Sequence, residues 1–587
     1  MCGIAALLGS SAEREAESAL LQRMLRVATR RGPEGTGVHA FANGVIAHTA
    51  LHFVDNLFNH QPLVHDDGSS LVFNGEIYNW RTLNVRYALG ARNDTQLLLR
   101  GLCARGSAFL SELDGQFAFV AHVACDGQAT RAIVGRDRWG ICPLVFGHTP
   151  QGWLAIGSTC EAVQAAFVQH VKVVPAGTLG CVAGTQLSFQ AWYRLPRTQL
   201  GSQPRLDRLS VQRFAVERVH SRIPEVPRQL FTTMGGIDSQ FVTATVARDL
   251  GLRFGGAVTV VPWTPPSLPA HAVRSAQSEP ESDLPYVNAT LHQLASEDAH
   301  VRHHVVVLTP AVVEASLDRL LKLLGPDLFH ILCGLAEDLV AVTVRRLGGR
   351  TIMTAGGPDE AGRSYDRWTV LHRGLDEELA WHRLAEQFAS SEGVRAGLIF
   401  GEHGLENRVP LADLIEFATQ ISSQEKQRVY EVGDGLTVAA LRLDSKIFWR
   451  SALVGLLPSY CLAARKQPIH GSTGAMRALF AVLACDQEFL QQRAAFVVRA
   501  WHLGWNGIVF GDLLNLDPTE ALTECQLYAL YRWSKLEPEL FDAGAESRYG
   551  RFIEFLPRSV DEPCERVAKP LCYDWQLGPD VPLRKVH

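Results

Sequence analysis

The hydrophobic pattern changes character once along the chain. From residue 1 to about 190, short apolar runs, alternating or continuous, are broken by Gly and Asn, as in GVIAHTALHFV, SLVFNGEIY, GQFAFVAHV and GWLAIGS. Runs of this length predict strands packed in antiparallel sheets. Between them DTQLLLRGLCARG has a helical period, with Asp94 in position to act as its N-cap. The polar stretch RLPRTQLGSQPRLDRLS (194–210), containing Pro and Gly, reads as a connection. Beyond it longer helical patterns, AVVEASLDRLLKLLG and LAEDLVAVTVRRLGG, alternate with short buried strands, RQLFTT, GAVTVV and RTIMTA. That alternation predicts an α/β unit with a parallel sheet. The expected organisation is a first domain over 1–195, a linker over 196–210 and a second domain over 211–587.

Composition narrows the setting. With 587 residues, 47% hydrophobic and 20% charged, the chain is long enough for two or more cores. A formal net charge of -5 gives no reason to expect nucleic acid as a partner. No apolar run reaches bilayer-spanning length, and the first residues lack the pattern of an export signal, so a cytoplasmic protein without membrane association is expected. Twelve cysteines without a CxxC pair argue against a disulfide frame or a zinc ribbon. The triplets at Asn93 and Asn288 fit a glycosylation acceptor, a chance match where no secretory signal accompanies them. His300, His303 and His304 share the spacing of one helical face but have no carboxylate or cysteine pattern beside them, so a metal role is not expected.

The opening MCGIAALLGS puts a cysteine directly behind the initiator methionine. Removal of Met1 gives one residue both a nucleophilic thiol and a free α-amine, whose ordinary pKa of about 7.7 to 8.0 suits it to act as the base. The plainer reading is a small, buried strand residue. Position alone favours the second, so other residues decide.

In order, Cys2, Arg31-Gly32-Pro33, Asn74-Gly75-Glu76, Asp94 and GRDRWGICPL (135–144) resemble the class II glutamine amidotransferases. The resemblance implies an N-terminal-nucleophile fold, a four-layer αββα sandwich. It implies that Cys2 attacks the side-chain amide of glutamine, releases ammonia and leaves a thioester for water. Asn74 and the backbone N–H of Gly75 then form the oxyanion hole, and Asn74, Gly75, Glu76 and Asp94 bind glutamine, the two carboxylates taking its α-amino group. The family's arginine for the α-carboxylate is replaced by Ala50, and no Lys or Arg occurs from Gly32 through Trp80. A substitute cation has to come from elsewhere: Arg31, Arg81, Arg92 or a protonated His52.

In the second domain MGGIDSQ stands between a strand and a helix, where backbone N–H groups and a positive helix end suit a phosphate. It resembles the SGGxDS loop of ATP pyrophosphatases, with Thr233, Gly235, Gly236, Asp238 and Ser239 as ATP and pyrophosphate contacts and Met234 in place of the first serine. Further on, TAGGPDEAGRSY (354–365), GLENRVPLAD (404–413) and ARKQPIHG (464–471) extend the resemblance to glutamine-hydrolysing asparagine synthetases. This implies a carboxylate activated by ATP to an acyl-adenylate, which ammonia from the first domain then attacks. Asp238 and Asp359 would hold Mg2+, with Asp359 beside the pyrophosphate, and Lys466 would stabilise the charge at the α-phosphate. Gly356 stands where the family has a glutamate, so Glu360 or Asp359 takes over its work, or the acceptor is not aspartate. The resemblance makes glutamine, ATP and a carboxylate acceptor the small-molecule partners and leaves a homodimer open. A different acceptor, and a noncatalytic relative acting as a binding protein, are the alternatives.

Overall fold

The computed structural model describes residues 1–9, 14–51, 60–123, 131–197, 208–264, 282–362, 364, 377–421, 426, 446–464, 469–503, 505 and 520–542. All six residues of β1 (Gly3–Leu8) are buried, which accounts for their unbroken apolar character. Successive side chains of a strand point to opposite faces. Accordingly Ile4, Ala6 and Leu8 pack with Val72, Ala118, Val120, Val134 and Ile156, whereas Ala5 and Leu7 pack with Leu20, Leu21, Met24 and Leu25 of helix α1 (Arg14–Ala28). A strand with sheet on one side and helix on the other has no polar face to show.

The same logic sets the whole N-terminal region. With β1 go β2 (Gly35–Phe41), β3 (Gly44–Ala50), β8 (Val145–His148), β9 (Leu154–Gly157) and β10 (Lys172–Val173), in the antiparallel order β10-β8-β9-β1-β3-β2. The second antiparallel sheet contains β4 (Leu63–Val64), β5 (Ser70–Ile77), β6 (Gly115–Val123), β7 (Arg131–Arg136), β11 (Thr178–Ala183) and β12 (Gln186–Ala191), in the order β12-β11-β7-β6-β5-β4. Helices α2 (Trp80–Tyr87) and α3 (Asp94–Arg105) cover its outer face, where Leu83, Leu97, Leu98 and Leu102 meet Leu71, Phe73, Phe117 and Phe119. Helix α4 (Cys160–Gln164) joins α1 on the other side through Val163. The result is the αββα sandwich.

One local expectation is corrected. The N-cap of α3 is Asn93, not Asp94: Asn93 is extended and its side chain accepts from Gln96 N at 2.8 Å. Both residue types cap well, so the sequence alone does not choose between neighbours. Asp94 is the first helical residue, and its carboxylate accepts from Ile77 N at 3.2 Å and Thr95 N at 2.7 Å. The GRDRWG segment is a buried scaffold. Asp137 accepts from the backbone N–H groups of Phe117, Trp139, Ile141 and Cys142, while Arg136 donates to Cys142 O and Val174 O.

Arg208 opens helix α5 (Arg208–His220) inside the span expected as linker, and residues 198–207 of that span lie outside those described. A five-stranded sheet follows, in the order β15-β14-β13-β16-β17, built from β13 (Leu230–Thr233), β14 (Gly256–Pro262), β15 (His303–Leu308), β16 (Thr351–Met353) and β17 (Glu406–Arg408). β13 runs parallel to β14 and to β16, and β16 runs parallel to β17. From β13 the chain builds outward to β14 and β15 on one side, and from β16 to β17 on the other. The boundary between β13 and β16 is therefore the topological switch point, where open parallel sheets bind ligands beyond the carboxyl ends of their strands.

The chain divides into two compact units. The first comprises Met1–Thr259, Pro285–His304 and Val340–Lys466. The second comprises Val260–Leu284, Val305–Leu339 and Gln467–His587. In the second, helix Pro310–Leu324 packs with Ala475–Cys485 and Glu520–Leu536, and Arg532 pairs with Glu314 and Asp318. No described helix is long and apolar enough to cross a membrane.

Candidate functional site

Cys2 lies immediately before β1, across from the end of β3. Leu51 N donates to its Sγ at 3.4 Å, and Arg31 Nε donates to its carbonyl at 3.2 Å. Burial pushes the thiol up from its ordinary value. With Met1 in place the nitrogen of Cys2 is an amide. The Met1 side chain is buried, its ammonium donates to Leu405 O at 3.0 Å, and desolvation lowers that ammonium to about 6.

β5 carries the next three residues. Asn74 is fully buried, and neither polar atom of its side chain has a partner. A buried amide left in this way costs about 1–3 kcal/mol, so the position holds donor capacity in reserve. Gly75 has φ +143°, and a Cβ there would come within 2.0 Å of Gln116 O on β6. Only glycine fits. Glu76 follows, and burial pushes its carboxyl up to about 8, although 31% of its side-chain surface stays open and Arg408 pulls the other way. Asp94 is raised to about 6, again chiefly by burial.

Of the three described residues among the four cations considered as substitutes for the one missing at Ala50, Arg31 alone is buried beside Cys2. Its Nη1 donates to Gly397 O at 3.4 Å, and its Nη2 is buried without a partner. Arg81 is two-thirds exposed and pairs with Glu225, Arg92 is exposed, and His52 lies outside the described residues. A fifth cation escaped the sequence reading. Arg408 of β17 donates to Glu76 Oε2 at 3.1 Å, to Arg222 O at 2.9 Å and to Glu406. The side chain of Gln116 also bonds to Asn407 O. The GLENRVPLAD segment thus ties the parallel sheet to the strand bearing Asn74 and Gly75, and its Asp413 accepts from Trp139 Nε1 and from Arg222.

At the switch point the loop after β13 leads into helix α6 (Ile237–Leu250). Ser239 Oγ accepts from Gly235 N at 2.9 Å and contacts Gly236 O at 3.0 Å, and Gln240 Nε2 donates to Gly235 O at 2.6 Å. Thr243 Oγ1 donates to Thr233 O, tying the strand end to the helix. A Cβ on Gly236 would meet nothing within 4 Å, so the loop faces open space there. Met234 is buried with Ala257 and Val287 and serves packing. At Gly356 a Cβ would lie 3.0 Å from the Phe388 ring and 3.6 Å from Val409, so aromatic and aliphatic groups fill the place of a longer side chain. Glu360 is buried nearby in the sequence, and its carbonyl accepts from Trp381 Nε1.

Asp238, in the first turn of α6, and Asp359, in the first turn of helix Pro358–Ala361, are brought together from the two strands that flank the switch point. Two carboxylates, completed by phosphate oxygens and water, suit magnesium. Here their shared position is taken. Lys446 Nζ bonds to Asp238 and lies 2.8 Å from Asp359 Oδ1, and Trp449 Nε1 donates to Asp238 Oδ1 at 2.8 Å. As they stand, the residues offer a divalent cation no open pair of carboxylates, and no group of three or more metal-ligating side chains gathers among the described residues. Lys446 and Trp449 were missed in the sequence. The only signal was DSKIFWR, a charged and aromatic run without a recognised spacing. Lys466 lies outside the described residues.

Sandwich and switch point define the class, an N-terminal-nucleophile amidotransferase fold joined to an open parallel sheet. Residues 1–182 match the family described as glutamine amidotransferase domain. Over 419 residues the chain is 26% identical to glutamine-hydrolyzing asparagine synthetase B of Escherichia coli (strain K12), covering 69% of this chain and 72% of that protein. The glutamine-hydrolyzing asparagine synthetase of Asparagus officinalis gives 26% over 447 residues, 74% and 72% of the two chains. The nodule enzyme of Pisum sativum gives 30% over 258 residues, 43% of each. Among solved structures, the glutamine phosphoribosylpyrophosphate amidotransferase of B. subtilis reaches a TM-score of only 0.29, too low to bear on the fold. The amino-terminal match is thus to a glutamine amidotransferase domain, and about seven-tenths of the chain is similar to glutamine-hydrolyzing asparagine synthetases.

Proposed function

We propose that this protein is a glutamine-dependent, ATP-driven amide ligase. In this reading Cys2, freed of Met1, attacks the glutamine amide carbon, its own α-amine taking the thiol proton. The side chain of Asn74 and Gly75 N–H donate to the oxyanion, ammonia departs, and water cleaves the thioester to glutamate. Glu76 and Asp94 take the α-ammonium, and Arg31 is the candidate for the α-carboxylate. At the switch point an acceptor carboxylate attacks the α-phosphorus of ATP and displaces pyrophosphate. Ammonia attacks the resulting acyl-adenylate, and AMP leaves.

The observation that carries the reading is the buried, unpartnered side chain of Asn74 beside the glycine-only position 75, within one compact unit with Asp238 and Asp359. Aspartate as acceptor is supported by the family. A different carboxylate is favoured by Phe388 packed against Gly356, which leaves an apolar wall where the family has a glutamate. The test is AMP release from ATP with ammonium and magnesium, comparing aspartate with a panel of other carboxylic acids and a blank. AMP with aspartate alone establishes an asparagine-forming enzyme, and AMP with another acid alone establishes the second reading. No AMP with any acid, together with no glutaminase activity, leaves a binding protein.

A further inference from the structure

Lys446 is the charged group whose position the reaction does not explain. Its side chain is only 4% exposed, and its ammonium lies between Asp238 and Asp359. Its backbone has φ +62°, a region a lysine adopts only when its surroundings hold it there. Gly362 makes room for it, since a Cβ at 362 would come 2.9 Å from Lys446 Cα. Trp449, one turn along helix Ile447–Ala452, fixes the other oxygen of Asp238.

We propose that Lys446 is a place-holding cation, which keeps divalent metal off Asp238 and Asp359 until a polyphosphate arrives. A buried ammonium deprived of its carboxylates would be stranded at large cost. A bare metal ion entering between the two aspartates would cause that, so it is excluded. A metal–polyphosphate complex differs because its anionic oxygens give the displaced ammonium a new partner. Metal and nucleotide therefore enter together, by an exchange of ion pairs. The inference rests on the nucleotide reading of the switch point.

The test is titration of the full chain with Mn2+, free ion being read by electron paramagnetic resonance, without nucleotide and then with ATP, each against the same mixture lacking protein so that only metal held by the chain is counted. Wild type is expected to bind no Mn2+ without nucleotide. Lys446→Met and Lys446→Gln, confirmed folded by circular dichroism and melting, are expected to gain one site, at least about tenfold tighter than any in wild type. Adding Asp359→Asn to either should abolish it. A nucleotide-free wild-type site as tight as that with ATP would overturn the proposal, as would folded variants that gain none. If both variants fail to fold, the wild-type titration decides by the same criterion. Should the variants gain Mn2+ while wild type ignores Mn2+ with ATP, the nucleotide reading fails and the role of Lys446 stands.

Discussion

The two ends of the first unit handle buried polarity in opposite ways. Around Cys2, hydrogen-bonding capacity is buried and left open, at both polar atoms of the Asn74 side chain and at Arg31 Nη2. Around Asp238 the charged groups satisfy one another, Lys446 and Trp449 with the carboxylates and Ser239 with the loop backbone. The first arrangement stores an energetic cost, and under the proposed reaction the developing oxyanion relieves it. The second is content without a ligand and has to be opened by exchange. Departures from the family pattern divide in the same way. Ala50 removes a cation and leaves the buried Arg31 with an open nitrogen beside Cys2, while Met234 and Gly356 belong to filled, apolar surroundings.

Cys2→Ala separates the ends most sharply. Glutamine-driven turnover should fall by at least about 10³-fold, while ammonium-driven AMP formation stays within about twofold of wild type. Loss of both would mean the ends are not separable.

Arg408→Gln strikes the link between them. It leaves the buried Glu406 without its cation and breaks the bond to Glu76, and a loss of about 3–5 kcal/mol is expected in urea denaturation. A loss below about 1 kcal/mol would show the pairs to be unimportant. Asn74→Ala should lower glutaminase kcat by about 10²–10³-fold without lowering the melting temperature, since no hydrogen bond is broken in the free protein. A marked fall in melting temperature would make Asn74 a structural residue.

Met234→Ser restores the family's hydroxyl but empties an apolar position. We expect about 2–3 kcal/mol of destabilisation and no gain in ATP affinity, read by melting and by nucleotide titration. The smallest effect concerns pH. Glu76 is raised from 4.5 to about 8 by burial, so the folded chain keeps a proton that the unfolded chain releases above 4.5. Its contribution to stability is therefore lost as pH rises through that window. Binding an α-ammonium needs the ionised form, so KM for glutamine should fall about fivefold from pH 7 to pH 8. Glu76→Gln should raise KM and flatten the profile.

Much of this was legible because the chemistry is local. The run GIAALL announces a strand buried on both faces, and NGE carries the glycine that lets the strands approach. What escaped depends on distant pairing. Arg408 meets Glu76 from 332 residues away, and Lys446 reaches back to Asp238 across 208. Nothing in DSKIFWR states that its lysine is buried. The Asn93–Asp94 choice failed for the opposite reason, since two neighbouring residues offer the same local chemistry and only the backbone path selects one.

The most direct test of the account supplies glutamine labelled with 15N in its side-chain amide, ATP and a carboxylate panel, and measures labelled amide, glutamate and AMP together by mass spectrometry. The account predicts equal amounts of labelled amide product and AMP with one acid, and none of that product after Cys2→Ala. Glutamate formed freely while no acid yields AMP or labelled amide would contradict it.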